Sequence, residues 1–240
     1  MARFIRIVAL AGLLLSVAPD AAAGEAQNVP NHKVSHSKST NWSGYDVTGH
    51  GPYNSVSAGW VQAAVNCTMT PTGYSSFWVG LDGDTTSTVE QTGTEADCSS
   101  GTARYYGWYE MYPKFPVNYS DVVAPGDTMR ASVTYQSGGT FRLTLTDQTR
   151  GWTHTVTPKL NRATRGSAEV IVEAPSSSGG VLPLADFGTA SFSGAKVNGS
   201  LLSSSTPGID PITMITSSGT VKAQPGSLSS GSFSDTWHHQ

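Results

Sequence analysis

Short runs of alternating apolar and polar residues dominate the chain from residue 41 onward. In residues 129–135 every second side chain is apolar and the side chains between them are polar, and residues 141–146 repeat the pattern. Successive side chains of a strand point to opposite faces, so this alternation predicts strands with one packed face. The sequence predicts strands over the following ranges: Trp42–Val47, Val56–Val65, Ser76–Leu81, Thr102–Tyr112, Thr128–Tyr135, Thr140–Thr146, Trp152–Thr157, Ser167–Glu173 and Leu184–Phe192.

Turn sequences separate these runs, and no stretch shows helical periodicity or a fixed repeat. The turns include Ala124–Asp127, Ser137–Gly139 and Ser178–Gly180. The chain has 240 residues with 26 Gly and only 13% charged residues, which favours many short strands in one sizeable domain. We therefore predict an all-β fold, a sandwich of two antiparallel sheets, over residues 41–240.

The first 24 residues have the features of a secretory signal peptide. Arg3 and Arg6 form its positive end, an apolar run extends from Ile7 to Val17, and Ala21–Ala23 supply small residues for cleavage. That run is too short to span a bilayer, and no later segment is long and apolar enough, so we predict a secreted protein without a membrane anchor. Residues 25–40 form a short basic N-terminal segment without apolar periodicity.

The charge balance and the two cysteines narrow the function classes. Loss of the predicted signal peptide removes two positive charges and one negative charge, so the net charge changes from −3 to −4. No basic patch supports nucleic-acid binding. In an exported protein, Cys67 and Cys98 indicate one disulfide, with two buried thiols as the alternative. A metal site is disfavoured because no Cys or His lies at ligand spacing from either cysteine.

The stretch from Trp78 to Tyr112 sets aromatic residues beside carboxyl groups. In the predicted strand 102–112, alternation places Trp108, Glu110 and Tyr112 on one face. A carboxylate flanked by Trp and Tyr on a sheet face is more typical of a cleft floor than of solvent surface.

The sequence offers little for nucleophilic catalysis and more for carboxyl chemistry. His154 is the one histidine within a predicted strand, where a packed or half-exposed residue is expected and not a catalytic base, and no Gly-x-Ser-x-Gly elbow occurs. Asp84-Thr85-Thr86 lacks the glycine of an aspartic peptidase motif. Glu169 and Glu173 share one face of their predicted strand, and for Glu173 we expect an edge or solvent-facing position.

Several motifs, in order along the chain, resemble those of the glutamic peptidases, also called eqolisins. They are Asn41-Trp42-Ser43-Gly44-Tyr45, Trp78-Val79-Gly80-Leu81-Asp82-Gly83-Asp84, Gln91-Thr92-Gly93, Trp108-Tyr109-Glu110-Met111-Tyr112-Pro113, Ala168–Glu173 and Ala185–Gly188. The resemblance covers roughly residues 41–195. It implies two large sheets bent so that a concave face forms a substrate cleft, and a secreted endopeptidase that acts at acidic pH. Residues 25–40 would then be a short pro-segment docked against an acidic cleft.

The resemblance also assigns roles to individual residues. It implies that Glu169 is the catalytic glutamate and Gln91 the catalytic glutamine. A glutamate can take a proton from water and a glutamine amide can donate to the oxyanion at any pH, so the chemistry needs no metal, cofactor or covalent intermediate. Supporting or substrate-binding roles are implied for Trp78, Asp82, Trp108 and Glu110. The chain departs from the family pattern at Tyr106, where an acidic residue is usual, and at Glu90, where an apolar residue is usual.

The main alternative is a sandwich that binds or cleaves carbohydrate. Trp108, Tyr109 and Tyr112 could stack on sugars beside Glu110, and paired carboxylates are the machinery of glycosidases. A glycosidase needs two carboxylates that flank the bond, whereas the peptidase chemistry needs a glutamate opposite Gln91. We therefore favour a monomeric enzyme with protein or peptide substrates and with no nucleic-acid, membrane or metal partner.

Overall fold

The structure is a computed structural model that describes residues 38–84 and 86–240. The predicted signal peptide, and all but the last three residues of the predicted N-terminal segment, lie outside the described residues. The described residues form eighteen β-strands and no α-helix. Within them, no helix is long and apolar enough to cross a membrane.

The strands follow one another closely along the chain. They are β1 (Lys38–Ser39), β2 (Trp42–Thr48), β3 (Ser55–Val61), β4 (Ser76–Leu81), β5 (Val89–Ser99), β6 (Thr102–Tyr112), β7 (Val117–Asn118), β8 (Thr128–Ser137), β9 (Thr140–Asp147), β10 (Trp152–Val156), β11 (Ser167–Glu173), β12 (Ser176–Ser177), β13 (Gly180–Val181), β14 (Thr189–Val197), β15 (Ser200–Leu201), β16 (Ile209–Ile215), β17 (Val221–Pro225) and β18 (Phe233–Trp237).

Strand β16 joins two layers of one continuous sheet. Its residues Ile209–Ile212 pair with β2, whereas Met214 and Ile215 pair with β17. The first layer runs β10-β9-β8-β3-β14-β18-β17, and the second runs β2-β11-β4-β5-β6-β7. The layers pack face to face through contacts of β3, β8 and β9 with β4, β5 and β11. This arrangement confirms the predicted sandwich of antiparallel sheets; the ladder between β1 and β16 is parallel.

The apolar side chains of the alternating strands fill the space between the layers. Met129, Val133, Phe141 and Leu143 are fully buried there, as the sequence pattern predicts. Burial of each such side chain contributes about 1.5–3 kcal/mol. One hydrogen bond also crosses the core, because the Trp60 indole Nε1 donates to Thr94 Oγ1 at 3.0 Å.

The two ends of the folded sheet meet along one side of the sandwich. His154 of β10 lies 2.7 Å from Asp121 Oδ2, and its ring stacks on Tyr119 at 4.1 Å. The Trp152 indole Nε1 donates to the Val122 carbonyl at 3.1 Å. His154 is therefore a half-exposed strand residue, within the prediction, and it links the edges of the two layers.

Two predicted strands differ from the structure by more than two residues at an end. Strand β3 ends at Val61 instead of Val65, and the strand predicted over 184–192 begins only at Thr189. Residues 184–188 turn instead, since Asp186 Oδ1 accepts a hydrogen bond from the Gly188 N–H at 3.0 Å and Gly188 has a φ of 62°. Local side-chain bonding of this kind competes with extended backbone.

The central strands of the second layer are buried on both faces, unlike the alternating strands of the first layer. Every residue of β4 and β11 is buried, and so is every residue of β5 except the last. One face of these strands contacts the core. We call the opposite face of β2, β11, β4, β5 and β6 the site face, because it carries most of the residues that the sequence singles out.

The disulfide between Cys67 and Cys98 is present, as predicted. It joins the loop before β4 to the end of β5, at a sequence separation of 31 residues. Replacing both cysteines by serine is expected to lower the free energy of unfolding by about 3 kcal/mol, because the unfolded chain regains the entropy of an open loop. Urea unfolding of the oxidised protein and the double variant tests this, and equal midpoints would contradict it.

Candidate active site

The strand register lines up polar side chains across the site face. Residues directly opposite one another on neighbouring strands point to the same face, about 4.5–5.5 Å apart at Cβ. We call one such line the carboxyl row. In order from β16 to β6 it contains Asp210, Asp46, Glu169, Gly80, Gln91 and Glu110. The register thus brings Glu169, Gln91 and Glu110 onto one face, with Gly80 between Glu169 and Gln91.

A second line, the tryptophan row, runs beside the carboxyl row. Its members in order are Ile212, Gly44, Ile171, Trp78, Gly93 and Trp108. Trp78 and Trp108 are buried here, and Trp42 meets Trp78 edge-on with a centroid distance of 5.1 Å. These side chains give the polar groups around them an apolar setting.

Two glycines allow the Trp78 ring to lie close against the sheet. A Cβ atom at Gly80 would lie 2.7 Å from the Trp78 ring, and a Cβ atom at Gly93 would lie 2.6 Å from Trp78 Cβ. Real Cβ atoms do not approach other atoms so closely. Gly80 therefore leaves the space for the indole ring, and Gly93 lets β5 lie close to the main chain of β4 at Phe77 and Trp78.

The indole of Trp78 in turn holds Glu173. Trp78 Nε1 donates to Glu173 Oε2 at 2.9 Å, and Asn41 Nδ2 donates to Glu173 Oε1 at 3.0 Å. Glu173 belongs to the central strand β11 and is fully buried. The expected edge or solvent position for Glu173 is therefore wrong: its strand pairs with β2 on one side and β4 on the other.

Gln91 and Glu110 form a direct pair. Gln91 Nε2 donates to Glu110 Oε2 at 2.6 Å. Burial raises the pKa of Glu110 to about 8, and the hydrogen bond from Gln91 opposes that rise. Burial also raises the pKa of Glu173 well above its usual range, and the charge of Glu110 raises it further. The Gln91–Glu110 pair and Glu173 thus belong to one electrostatic group.

Glu169 has different neighbours from Glu173. Burial raises the pKa of Glu169 well above its usual range, a hydrogen bond with Ser167 opposes the rise, and the charges of Asp46, Asp82 and Asp84 add to it. None of these acids belongs to the Gln91–Glu110 pair. Glu169 therefore shares a row with Gln91 but lies in a separate carboxyl cluster.

Asp82 anchors a loop. Its carboxylate accepts hydrogen bonds from Arg165 N at 2.8 Å, Gly166 N at 2.7 Å and Thr164 Oγ1 at 2.8 Å. Asp82 is fully buried and has a φ of 67°, so it ends β4 in a tight turn. These bonds fix the loop that leads into β11, which carries both Glu169 and Glu173.

The two departures from the family pattern, Tyr106 and Glu90, each involve a buried carboxyl group. For Tyr106 this group is Asp97, and for Glu90 it is its own side chain. Tyr106 donates from its hydroxyl to Asp97 Oδ2 at 3.1 Å, so a tyrosine here contacts an acid from the neighbouring strand. Glu90 is fully buried, and burial followed by the charge of Asp82 raises its pKa to about 9. In acid both Glu90 and Glu110 therefore carry a proton.

Two residues of the site were not singled out from the sequence as site residues. Asn41 opens a motif of the family resemblance, and Asp46 lies directly opposite Glu169. The alternation of β2 could have found Asp46, because Trp42, Gly44 and Asp46 share a face. No group of three or more His, Cys, Asp or Glu side chains in residues 38–84 and 86–240 is arranged to hold a metal ion.

The fold and the site define a class of protein: an antiparallel β-sandwich with a glutamine and several carboxyl groups buried beside tryptophans on one sheet face. A family model described as the Peptidase A4 family matches residues 40–237. The chain therefore belongs to the Peptidase A4 family.

Relatives and solved structures agree with this assignment. The chain is 34% identical to aspergillopepsin-2 from Aspergillus niger over 126 residues, which are 50% of this chain and 45% of that protein. It is 35% identical to scytalidopepsin B from Scytalidium lignicola over 103 residues, 40% of this chain and 38% of the relative. Each match spans less than half the length of the relative.

Among solved structures, scytalido-glutamic peptidase with a transition state analog inhibitor has the same fold. The TM-score is 0.72 at 24% identity, and the likeness covers 83% of this chain and 98% of the other. The predicted fold class and the resemblance to glutamic peptidases are thus confirmed.

The buried carboxyl groups predict that the fold is most stable in acid. The pKa values of Asp46 and Glu110 rise to about 8 and that of Asp235 to about 7. The folded state then binds more protons than the unfolded state between about pH 4 and about pH 8, so the free energy of unfolding falls as pH rises through this window. Urea unfolding across this pH range measures the fall, and a constant or rising stability would contradict it.

Asp235 provides a control outside the site face. It accepts a hydrogen bond from Ser43 Oγ at 2.7 Å inside the core, and burial is the main reason for its raised pKa. Asp235→Asn removes one ionising group. The fall in stability between about pH 4 and about pH 7 is expected to shrink by up to roughly 4 kcal/mol, at about 1.4 kcal/mol for each pKa unit.

Proposed function

We propose that the protein hydrolyses peptide bonds of protein substrates at acidic pH, using water activated by Glu173 and Gln91. The observation that carries this proposal is the pair of fixed donors on Glu173, placed in one electrostatic group with the Gln91–Glu110 pair. Membership of the Peptidase A4 family and the names of the relatives support the reaction class.

The reaction needs a base and an oxyanion donor. Ionised Glu173 takes a proton from water while the water oxygen bonds to the scissile carbonyl carbon. An N–H of Gln91 donates to the oxygen that becomes negative. Glu173 then gives its proton to the leaving nitrogen, the C–N bond breaks, and the carboxylate of Glu173 is restored. These reaction steps use neither a metal nor a covalent intermediate.

Glu173 is preferred over Glu169 as the base for two reasons. Each carboxylate oxygen of Glu173 accepts a hydrogen bond from a group that does not titrate, the Trp78 indole or the Asn41 amide. Such donors favour the ionised form and hold its orientation at every pH. Glu169 has one such hydrogen bond, with Ser167, and the charges of three acids, Asp46, Asp82 and Asp84, favour its protonated form. Only one acid, Glu110, has that effect on Glu173. We therefore assign Glu169 to that cluster.

Glu173 and Glu110 titrate as a coupled pair. Two interacting carboxyl groups lose their protons in two separate steps, and between the steps the pair holds one proton. The two donors on Glu173 favour a charge there, while Glu110 has one from Gln91 and keeps the proton. Activity should rise as Glu173 ionises. It should fall as Glu110 ionises, since a charged Glu110 binds the Gln91 amide more strongly and competes with the oxyanion.

We also propose that the protein is secreted. The predicted signal peptide over residues 1–24 supports export. The disulfide between Cys67 and Cys98 also supports it, since such bonds persist in oxidising compartments.

The reaction class is tested with a denatured protein as substrate. The purified protein should cleave it with a bell-shaped pH profile that has its maximum in acid and an upper limb that follows the ionisation of Glu110, and a chelator should not change the rate. A polysaccharide incubated in parallel should remain intact. A neutral optimum, loss of activity with chelator, or cleavage of the polysaccharide in place of the protein would reject the proposal.

The assignment of the base is tested with single variants. Glu173→Gln and Gln91→Ala should each lower kcat by at least about 100-fold, because each removes a group that acts only in the transition state. Glu169→Gln should keep a measurable rate. Circular dichroism and thermal unfolding in acid verify that each variant is folded. An inactive Glu169→Gln beside an active Glu173→Gln would restore the role that the sequence resemblance implies for Glu169.

A further inference from the structure

Asn41 links the N-terminal strand to the buried glutamate. It follows β1 and precedes β2, and its side chain is fully buried. Its Nδ2 donates to Glu173 Oε1 at 3.0 Å, and its backbone carbonyl accepts a hydrogen bond from Ala174 N at 2.8 Å. Asn41 therefore contacts the end of β11 through both its side chain and its main chain.

Ser39 sets the direction of the Asn41 amide. The Ser39 hydroxyl donates to Asn41 Oδ1 at 3.1 Å, so the oxygen of the amide faces β1 and its NH₂ group faces Glu173. Ser39 Oγ also accepts from the backbone N–H of Asn41 at 3.3 Å and of Trp42 at 3.1 Å. The amide orientation thus follows from one hydrogen bond on its oxygen and one on its nitrogen.

Strand β1 holds this arrangement in place. Lys38 and Ser39 pair in parallel with Thr213 and Met214 of β16, the strand that joins the two layers. Ser39 is buried. The position of Asn41 relative to Glu173 is therefore fixed by the fold and not by a mobile side chain alone.

We propose that Asn41, oriented by Ser39, is a positioning residue that holds the Glu173 carboxylate in its ionised, reactive orientation. This inference rests on the proposed role of Glu173 as the base. Asn41 does not touch the substrate in this account. It acts through Glu173: the hydrogen bond that it donates stabilises the carboxylate form of Glu173 more than the protonated form.

The other groups around Glu173 also affect how readily its carboxyl group ionises. Glu110 of β6 is the acid whose charge raises the pKa of Glu173. In the same cross-strand line, Ser76, Glu95 and Tyr106 follow Glu173 on β4, β5 and β6, and Trp42 lies opposite on β2. No Lys or Arg occurs among these named neighbours. Hydrogen bonds from the neutral side chains of Trp42, Trp78 and Asn41 therefore stabilise the charge on Glu173.

The test is the pH profile of Asn41→Asp, with Asn41→Ala beside it. An aspartic acid has the shape of asparagine and donates only while protonated. Asn41→Asp should therefore keep most of its activity at the acid end, while its upper limb moves down by at least about one pH unit as residue 41 ionises beside Glu173. Asn41→Ala loses the donor at every pH, so its acid limb should move up by about one unit. At each pH where a variant loses activity, kcat should fall and KM should stay nearly unchanged.

A matched control and a milder variant complete the design. Asn161→Asp makes the same substitution at an exposed residue after β10 and should leave the profile unchanged. Ser39→Ala removes only the hydroxyl that orients Asn41. It should move the acid limb in the same direction as Asn41→Ala by a smaller amount, and it decides the matter if an Asn41 variant does not fold.

The outcomes separate the two proposals. If Glu173→Gln is inactive but the profiles of the Asn41 and Ser39 variants match the unmodified protein after scaling, this inference is rejected and the proposed function stands. If Glu173→Gln keeps its activity, the assignment of the base is rejected, and this inference is rejected with it. Shifted limbs together with an inactive Glu173→Gln support both.

Discussion

The site depends on how closely the Trp78 indole lies against the sheet. Gly80 and Gly93 leave the space for it, and any side chain at either position would collide with Trp78. From this position the indole N–H reaches Glu173, while the ring covers the strand that separates Glu169 from Gln91. The space at these two glycines thus lets Trp78 pack where its N–H bonds to Glu173.

Burial of carboxyl groups connects the stability of the protein with its chemistry. A strand buried on both faces can hold an acid only if that acid is neutral, or if donors meet its charge. Glu110 and Glu90 are neutral in acid, and the donors on Glu173 stabilise its charge when it ionises. The pH range in which the fold is stable with these buried acids is then also the pH range in which one of them can act as a base.

The sequence predicts the fold well because alternation and turn residues repeat in most strands. It predicts the site only in part. Alternation shows that Glu169 and Glu173 share a face. The choice between them depends on which residues of β2 and β4 lie beside each, and a single sequence does not reveal how strands pair. Burial of Glu173 was missed for the same reason: a charged residue at the end of a short run suggests an edge until its partner strands are known. The turn at 184–188 depends on one side-chain hydrogen bond.

The buried amide of Asn41 has a consequence for producing the protein. Asn41-Trp42-Ser43 is an acceptor sequence for N-linked glycans, which attach to the asparagine side-chain nitrogen. In the folded protein that nitrogen is bonded to Glu173 and has no exposed surface for a sugar. A glycan attached before folding would keep this segment from packing beside β11. The glycosylation machinery of the expression host would then decide whether the purified chain contains a complete site.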